Sequence, residues 1–125
     1  MITVSKEQVI RLHKKLLDNT GGLGGLRDEH MLDSALAAPF QTFDGEDLYP
    51  STAAKIARMA YSLVCNHPFV DGNKRIGIYV MLVQLDVNHI EVNFTDDDLI
   101  HIGLELAKGH MNDKQLLAII LEHSA

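Results

Sequence analysis

Apolar side chains recur every three or four residues along most of the chain, which is the spacing of an amphipathic helix. A first helix is predicted to begin at Ser5, because Gln8 three residues later completes a capping box. Its apolar face is built from Val9, Ile10, Leu12, Leu16 and Leu17. The pair Gly21 and Gly22 should end this helix, since glycine loses much backbone entropy in a helix interior.

The same start and stop signals predict four more amphipathic helices. Asp28 and Ser51 can cap helix starts, and Pro68 forbids helical continuation. Thr95 forms a second capping box with Asp98. The predicted helices cover 28–38, 51–66, 95–108 and 113–123.

The segment 76–85 differs from these helices because it is almost uninterrupted in Ile, Tyr, Val, Met and Leu. Such a composition suits a central helix that is buried on most sides. The segment 40–50 carries Gly45 between short aromatic-bearing flanks, a pattern typical either of a plain loop or of a short β-hairpin flap. The sequence therefore predicts one all-α domain over residues 1–125, a compact bundle of about six helices around a central buried helix.

Composition and charge narrow the classes of partner. The chain has 125 residues, 46% of them hydrophobic and 22% charged, which is ordinary for a globular protein. Eleven Lys and Arg against 17 Asp and Glu give a formal charge of −6, which argues against nucleic acid as the primary partner. The single Cys65 cannot form an internal disulfide, and no signal peptide or membrane-spanning run is recognised, so we expect a cytoplasmic protein.

The loop 67–75 concentrates more reactive chemistry than any other stretch. It precedes the predicted central helix, whose first N–H groups and positive dipole end attract an anion such as a phosphate. His67 is the candidate general base, because an imidazole can accept a proton from an attacking hydroxyl; alternatively, its imidazole would only cap the preceding helix. Phe69 is predicted to anchor the loop to the core.

The rest of the loop suits a nucleotide phosphate and its metal ion. Asp71 can bind Mg²⁺, which prefers one or two carboxylates with phosphate oxygens and water, or it can act as a helix cap. Asn73, Lys74 and Arg75 offer an amide, an ammonium and a guanidinium to the phosphates. Gly72 allows successive N–H groups to turn toward one anion, although an ordinary turn glycine would look the same.

These residues resemble a known signature. The loop 67–75 matches His-Pro-Phe-x-Asp/Glu-Gly-Asn-Gly/Lys-Arg, the motif of the Fic/Doc (Fido) superfamily, at every specified position. The likeness covers most of the chain and points to the death-on-curing (Doc) branch. Its positions outside the loop are Gly21, Gly22, Gly25, Arg27, Asp28, Leu32, Ser34, Ala35, Pro39, Tyr49 and Pro50.

The resemblance implies a role for each motif residue. In the superfamily the histidine deprotonates a protein hydroxyl, the acidic residue binds Mg²⁺, and the asparagine and arginine hold nucleotide phosphates; here these are His67, Asp71, Asn73 and Arg75. Lysine at the position of Lys74 is typical of the Doc branch, whose members are taken to transfer the γ-phosphate of ATP to a threonine of translation elongation factor Tu. Glycine at that position is typical of AMP transfer.

The resemblance also implies partners. The segment 40–50 occupies the place of the family's flap, which aligns the target peptide by strand-like pairing. No inhibitory Ser/Thr-x-x-x-Glu-Gly/Asn helix is recognised, so a toxin–antitoxin pair is implied, with a cognate antitoxin that inhibits in trans and whose helix lies across an apolar groove beside the site. Two alternatives stay open: a Fic-type protein adenylyltransferase, and a non-catalytic domain that docks a partner.

Overall fold

The computed structural model describes residues 1–125, and its secondary structure is almost entirely helical. The six helices are α1 (Lys6–Thr20), α2 (Glu29–Ala37), α3 (Thr52–Asn66), α4 (Asn73–Val87), α5 (Asp96–Ala107) and α6 (Asp113–His123). A 3₁₀ turn (Ala38–Phe40) and two short strands, β1 (Thr42–Phe43) and β2 (Glu46–Asp47), lie between α2 and α3. The prediction of an all-α bundle of about six helices is confirmed.

The predicted helix starts are confirmed by their capping bonds. The Ser5 hydroxyl accepts a hydrogen bond from the backbone N–H of Gln8, and the Ser5 N–H donates to Oε1 of Gln8. Asp28 caps α2 by accepting from the backbone N–H of Met31, and Ser51 caps α3 by accepting from that of Ala54. Thr95 forms a full capping box at the start of α5. Local sequence therefore determines where these helices begin.

The centre of the bundle is the contact between α3 and α4. Helix α3 also contacts α2, α5 and α6, so it is surrounded on most sides. The two central helices approach each other closely at Gly77, where an added Cβ would lie 2.6 Å from Cγ2 of Val64 and 3.3 Å from the carbonyl oxygen of Ala60. Because α3 ends at Asn66 and α4 begins at Asn73, the loop that joins these central helices is held at both ends by the core.

Helix α4 is buried on most sides, as predicted, since Tyr79 is the only exposed residue of the segment 76–85. Its core face includes Ile76, Val80 and Leu85. Ile78 and Tyr79, by contrast, line an open groove. The unbroken apolar run therefore serves the core on one side and a surface groove on the other. None of the six helices has the length and apolar character that crossing a bilayer requires.

The segment between α2 and α3 contains a hairpin, which decides between the two predicted alternatives. Strands β1 and β2 pair antiparallel, with Thr42 opposite Asp47 and Phe43 opposite Glu46. The turn residues Asp44 and Gly45 both have positive φ, as a tight two-residue hairpin turn requires. The hairpin is exposed on both strands, so its edges remain available for pairing with another chain.

Candidate active site

The loop between α3 and α4 is anchored to the core by Phe69, which is 1% exposed. The Phe69 ring stacks on the buried imidazole of His13 from α1, with 3.7 Å between ring centroids. The backbone of Phe69 is held by Asn73: the Phe69 N–H donates to Oδ1 of Asn73, and Nδ2 of Asn73 donates to the Phe69 carbonyl, both at 3.0 Å. These contacts lock the middle of the loop to the start of α4.

A second segment, residues 25–28, pairs with the loop from the side. Leu26 and Phe69 form an isolated antiparallel bridge. The backbone N–H groups of Arg27 and Asp28 both donate to the Pro68 carbonyl, and the Val70 N–H donates to the Gly25 carbonyl at 3.0 Å. The glycine-rich segment therefore supports the loop through backbone hydrogen bonds.

His67 caps the C-terminal end of α3 with an unusual backbone conformation. Its φ of 51° and ψ of 53° lie in the left-handed region, which few residues other than glycine adopt. The residue is exposed, and its imidazole makes no hydrogen bond within the protein. The ring is therefore free to meet a ligand. The prediction that this imidazole only caps the preceding helix has no hydrogen bond to support it.

Asp71 lies four residues later on the exposed side of the loop. Its Oδ1 accepts a hydrogen bond of 2.8 Å from the Gly72 N–H and lies 3.8 Å from Nη2 of Arg75. Its backbone carbonyl accepts a hydrogen bond of 2.7 Å from Nε2 of His13. The carboxylate is thus held at the mouth of α4 by contacts on both sides of the loop.

The first turn of α4 presents unpaired backbone N–H groups. Gly72 precedes the helix with φ of 79°, and no side chain caps the helix start. The amide of Asn73 is directed inward to Phe69, whereas Lys74 is exposed and makes no ion pair. The guanidinium of Arg75 donates to the hydroxyl of Thr20 and to the Gly21 carbonyl. Helix dipole and side-chain cations together make this end electropositive.

One cavity of about 490 Å³ collects the predicted polar site residues. Its lining consists of His67, Asp71, Gly72, Asn73, Lys74, Arg75, Val64, Cys65 and Ala107. Phe69 does not line it and lies beneath the loop instead. Cys65 is an unpredicted member: the thiol is exposed to the cavity, and partial burial raises its pKa, so it is a weak nucleophile at neutral pH.

The cavity contains one carboxylate that can bind a metal ion, together with groups that can bind phosphate, but it does not contain a complete set of metal ligands. Asp71 supplies one carboxylate, and no group of three or more His, Cys, Asp or Glu side chains is placed to hold a metal ion. Mg²⁺ characteristically takes one or two carboxylates and completes its shell with phosphate oxygens and water. The residues present therefore fit a Mg²⁺ ion that arrives with a nucleotide.

An apolar groove adjoins the cavity on the other side of Lys74 and Arg75. Its volume is about 370 Å³ and its wall is formed by α4 and α5, with Leu16 and Thr20 from α1. The apolar residues of this groove are Leu16, Ile78, Tyr79, Leu82, Leu99, Ile100 and Leu104. Ile100 is 60% exposed. The same two cations therefore line both the cavity and the apolar groove.

Two residues that hold the loop were not predicted as part of the site. His13 occupies a core position of α1, four residues from both Val9 and Leu17, and this spacing is the signal that could have revealed a buried histidine. Arg27 was noted only within the glycine-rich segment, and nothing local in the sequence indicates that its side chain reaches the end of α3.

Comparison with known proteins agrees with the motif. A family model described as the Fic/DOC family matches residues 3–85 of the chain. The Toxin Doc of Mycolicibacterium smegmatis (strain ATCC 700084 / mc(2)155) is 39% identical over 72 residues, which is 58% of this chain and 55% of the relative. The alignment thus spans about half the length of that relative. The family match includes the whole loop between α3 and α4.

Proposed function

The chain belongs to the Fic/DOC family, and from this premise we propose that it is a Doc-like toxin that transfers the γ-phosphate of ATP to a Ser or Thr hydroxyl of a protein. The observation that carries the proposal is that a free imidazole, a carboxylate and an electropositive helix start line one cavity. Each of the three matches one need of phosphoryl transfer: a base, a metal ligand and phosphate binding.

The proposed transfer is an in-line displacement at phosphorus. The target oxygen forms a bond to the γ-phosphorus, the bond to the bridging oxygen breaks, ADP leaves, and His67 takes the hydroxyl proton. The N–H groups at the start of α4, together with Lys74 and Arg75, offset the charge that develops on the phosphate oxygens. Asp71 would hold Mg²⁺, which supplies charge neutralisation between the phosphates when bound.

Lys74 favours the kinase reaction over its nearest rival. Its side chain is exposed, makes no ion pair and lines the cavity at the second residue of α4. An ammonium and its stem at this position occupy space in the phosphate-binding turn that a glycine would leave open, and they change which phosphate can lie there. The rival is adenylyl transfer by the same residues, with the bond formed at the α-phosphorus.

Labelled ATP separates the two reactions. The protein is incubated with elongation factor Tu and Mg²⁺, using ATP that carries label at the α-phosphate in one reaction and at the γ-phosphate in another. The kinase proposal expects label on the target from the γ position only, and label from the α position would overturn it. His67→Ala should lower the rate by about 10² to 10⁴, the usual contribution of a general base.

Elongation factor Tu is the target that we propose, by likeness to the Doc branch. The exposed hairpin β1–β2 would pair with an extended target segment, because the outer edges of its strands are unpaired. Mass spectrometry of the reacted target would identify the modified hydroxyl. Label on other bacterial proteins with elongation factor Tu unmodified would redirect the proposal to a different target.

We also propose that a cognate antitoxin silences the enzyme by binding the apolar groove. The groove is apolar and Lys74 and Arg75 form part of its wall, so it fits an amphipathic helix that carries a carboxylate near these cations. Such a carboxylate would compete with phosphate for Arg75. The 39% identical relative is itself a Toxin Doc, which supports an inhibitory partner for this chain.

The partner can be found and the groove tested by growth. Expression of the toxin should arrest cells, and clones of a genomic library that restore growth identify the antitoxin. Ile100→Asp should abolish the rescue, because it places a charge in the groove that the partner must bury. Leu121→Asp is the matched control, since Leu121 is a similarly exposed apolar residue on α6. Rescue of both variants would remove the groove from the proposal.

The remaining alternative is a non-catalytic domain that only docks a partner. It predicts that His67→Ala retains the full effect on growth. The free imidazole of His67 in the cavity has no use in that alternative, which is why we favour the enzyme.

A further inference from the structure

The end of α3 has two carbonyl groups that no backbone donor reaches. Pro68 lacks an N–H, and the left-handed conformation at His67 turns the chain away from the helix. Arg27 fills this gap from the glycine-rich segment. Its Nε donates to the His67 carbonyl at 2.6 Å, and its Nη2 donates to the Asn66 carbonyl at 3.1 Å.

We propose that Arg27 is a positioning residue for the transfer reaction: its guanidinium holds the left-handed backbone of His67 and thereby aims the imidazole into the cavity. The inference rests on the proposed function, since it assigns Arg27 a role in that reaction. A guanidinium suits the task because its planar fork can donate to two neighbouring carbonyls at once, which an ammonium cannot do in a fixed direction.

The left-handed backbone needs such support. A residue other than glycine keeps this conformation only where its surroundings impose it. The imidazole itself makes no hydrogen bond that would orient it from the side-chain end. The direction of the ring is therefore determined by the His67 backbone, and the Arg27 fork is the only side chain that bonds to the His67 carbonyl.

Removal of the Arg27 side chain should leave the fold in place. The residue is exposed, and the backbone bonds of its segment do not depend on its side chain. The N–H groups of Arg27 and Asp28 would still donate to the Pro68 carbonyl, and the Val70 N–H to the Gly25 carbonyl. A loss of activity in Arg27→Ala would thus report on the direction of His67 rather than on loss of the loop.

Steady-state kinetics of five variants test the inference. Arg27→Ala should lower kcat by about 10- to 100-fold while the KM for ATP changes less than about twofold, because displacing a reacting group by 1 Å costs rates of this order. Arg27→Lys should recover part of kcat, since it retains one donor. Arg11→Ala is the matched control: Arg11 is exposed on α1 and makes no hydrogen bond or ion pair. In a His67→Ala background, Arg27→Ala should cost less than about twofold further.

An NMR measurement tests the same inference without any transfer reaction. The imidazole ¹H–¹⁵N signals of His67, assigned by their loss in His67→Ala, should be unchanged in Arg11→Ala and broadened or shifted toward those of free histidine in Arg27→Ala. If the wild-type protein labels no target, the proposed function fails while this measurement still decides the role of Arg27. Unchanged His67 signals in Arg27→Ala, or an equal kcat loss in the His67→Ala background, would overturn the inference.

Discussion

At the scale of single residues, the loop depends on His13, whose ring is 2% exposed. Its Nε2 donates to the Asp71 carbonyl at 2.7 Å, and its ring stacks on Phe69. These two contacts join α1 to the loop that carries the site. His13 therefore contributes both to the core and to the support of the loop, although it lines no part of the cavity at the start of α4.

Replacing His13 should destabilise the whole protein. His13→Ala removes a buried ring and leaves the Asp71 carbonyl without its donor, so we expect a loss of about 2 to 4 kcal/mol in the free energy of unfolding. His13→Gln retains a donor and should lose less. Urea unfolding followed by circular dichroism measures both changes. His30→Ala, at an exposed position of α2, should stay within about 0.5 kcal/mol, and an equally small effect for His13→Ala would contradict the account.

Cys65 offers a probe of the cavity, because it is the only thiol of the chain. Burial raises its pKa, so less thiolate is present at a given pH in the folded than in the unfolded protein. Alkylation by iodoacetamide at pH 8 should therefore be slower in the folded protein than in urea, and its rate should still rise with pH above the usual thiol pKa of about 8.5. ATP with Mg²⁺ should slow it further, and no effect of the nucleotide would place ATP elsewhere.

Single residues also show what the sequence could and could not predict. The polar side chains from His67 to Arg75 are contiguous, so their meeting in one cavity follows from a loop and a helix start. His13 and Arg27 reach the loop from far away along the chain, and such contacts depend on the tertiary fold. The amide of Asn73 is engaged with Phe69 on both of its atoms, which no spacing rule predicts; its role toward phosphate stays a prediction.

At the scale of helices, the close approach of α3 and α4 depends on Gly77. An added Cβ would lie 2.6 Å from Cγ2 of Val64, whose branched side chain has little freedom to move in a helix. Alanine would improve helix propensity by about 1 kcal/mol, but overpacking of a core costs about 1 to 3 kcal/mol. The cost of overpacking should exceed the gain in helix propensity here, because the Ala60 carbonyl oxygen lies 3.3 Å from the added Cβ and belongs to the backbone of a helix.

Gly77→Ala should therefore lower the free energy of unfolding by about 1 to 2 kcal/mol. Gly103→Ala is the matched change in α5, where the nearest atoms lie at 3.7 Å or beyond, and it should be neutral or stabilising. Thermal and urea unfolding of the two variants give the comparison. The packing account is wrong if Gly77→Ala proves the more stable of the two.

Elements were predicted well where local signals decide and poorly where packing decides. Ser5, Asp28, Ser51 and Thr95 cap their helices as expected, since a capping bond involves neighbours only. The burial of α4 was predicted, but the groove lined by Ile78 and Tyr79 was not located, because hydrophobicity alone cannot distinguish a buried face from the wall of a groove. That distinction needs the position of α5, which no local pattern contains.

At the scale of the whole molecule, nucleotide binding should stabilise the fold, because the cavity spans the junction of α3 and α4. ATP at ten times its Kd with Mg²⁺ should add about 1.4 kcal/mol of stability, which corresponds to a rise in Tm of about 5 °C. Removal of Mg²⁺ with EDTA should reduce the rise. Differential scanning fluorimetry measures it.

Variants assign that stabilisation to the cavity. Arg75→Ala should abolish most of the rise in Tm with ATP, and Asp71→Asn should make it independent of Mg²⁺. Arg11→Ala should behave as the wild type. A full Mg²⁺-dependent rise in Asp71→Asn would show that another residue holds the metal ion.

Lys74 and Arg75 form part of the wall of both the cavity and the apolar groove, so the same two positive charges act on a ligand in either one. Two anionic ligands, one in the cavity and one in the groove, would compete for these charges, and each would then lower the affinity of the other by the same factor. ATP in the cavity and an acidic inhibitor in the apolar groove, both as proposed above, would therefore compete for these two cations. Two adjacent side chains would then couple inhibition of the protein to the nucleotide concentration.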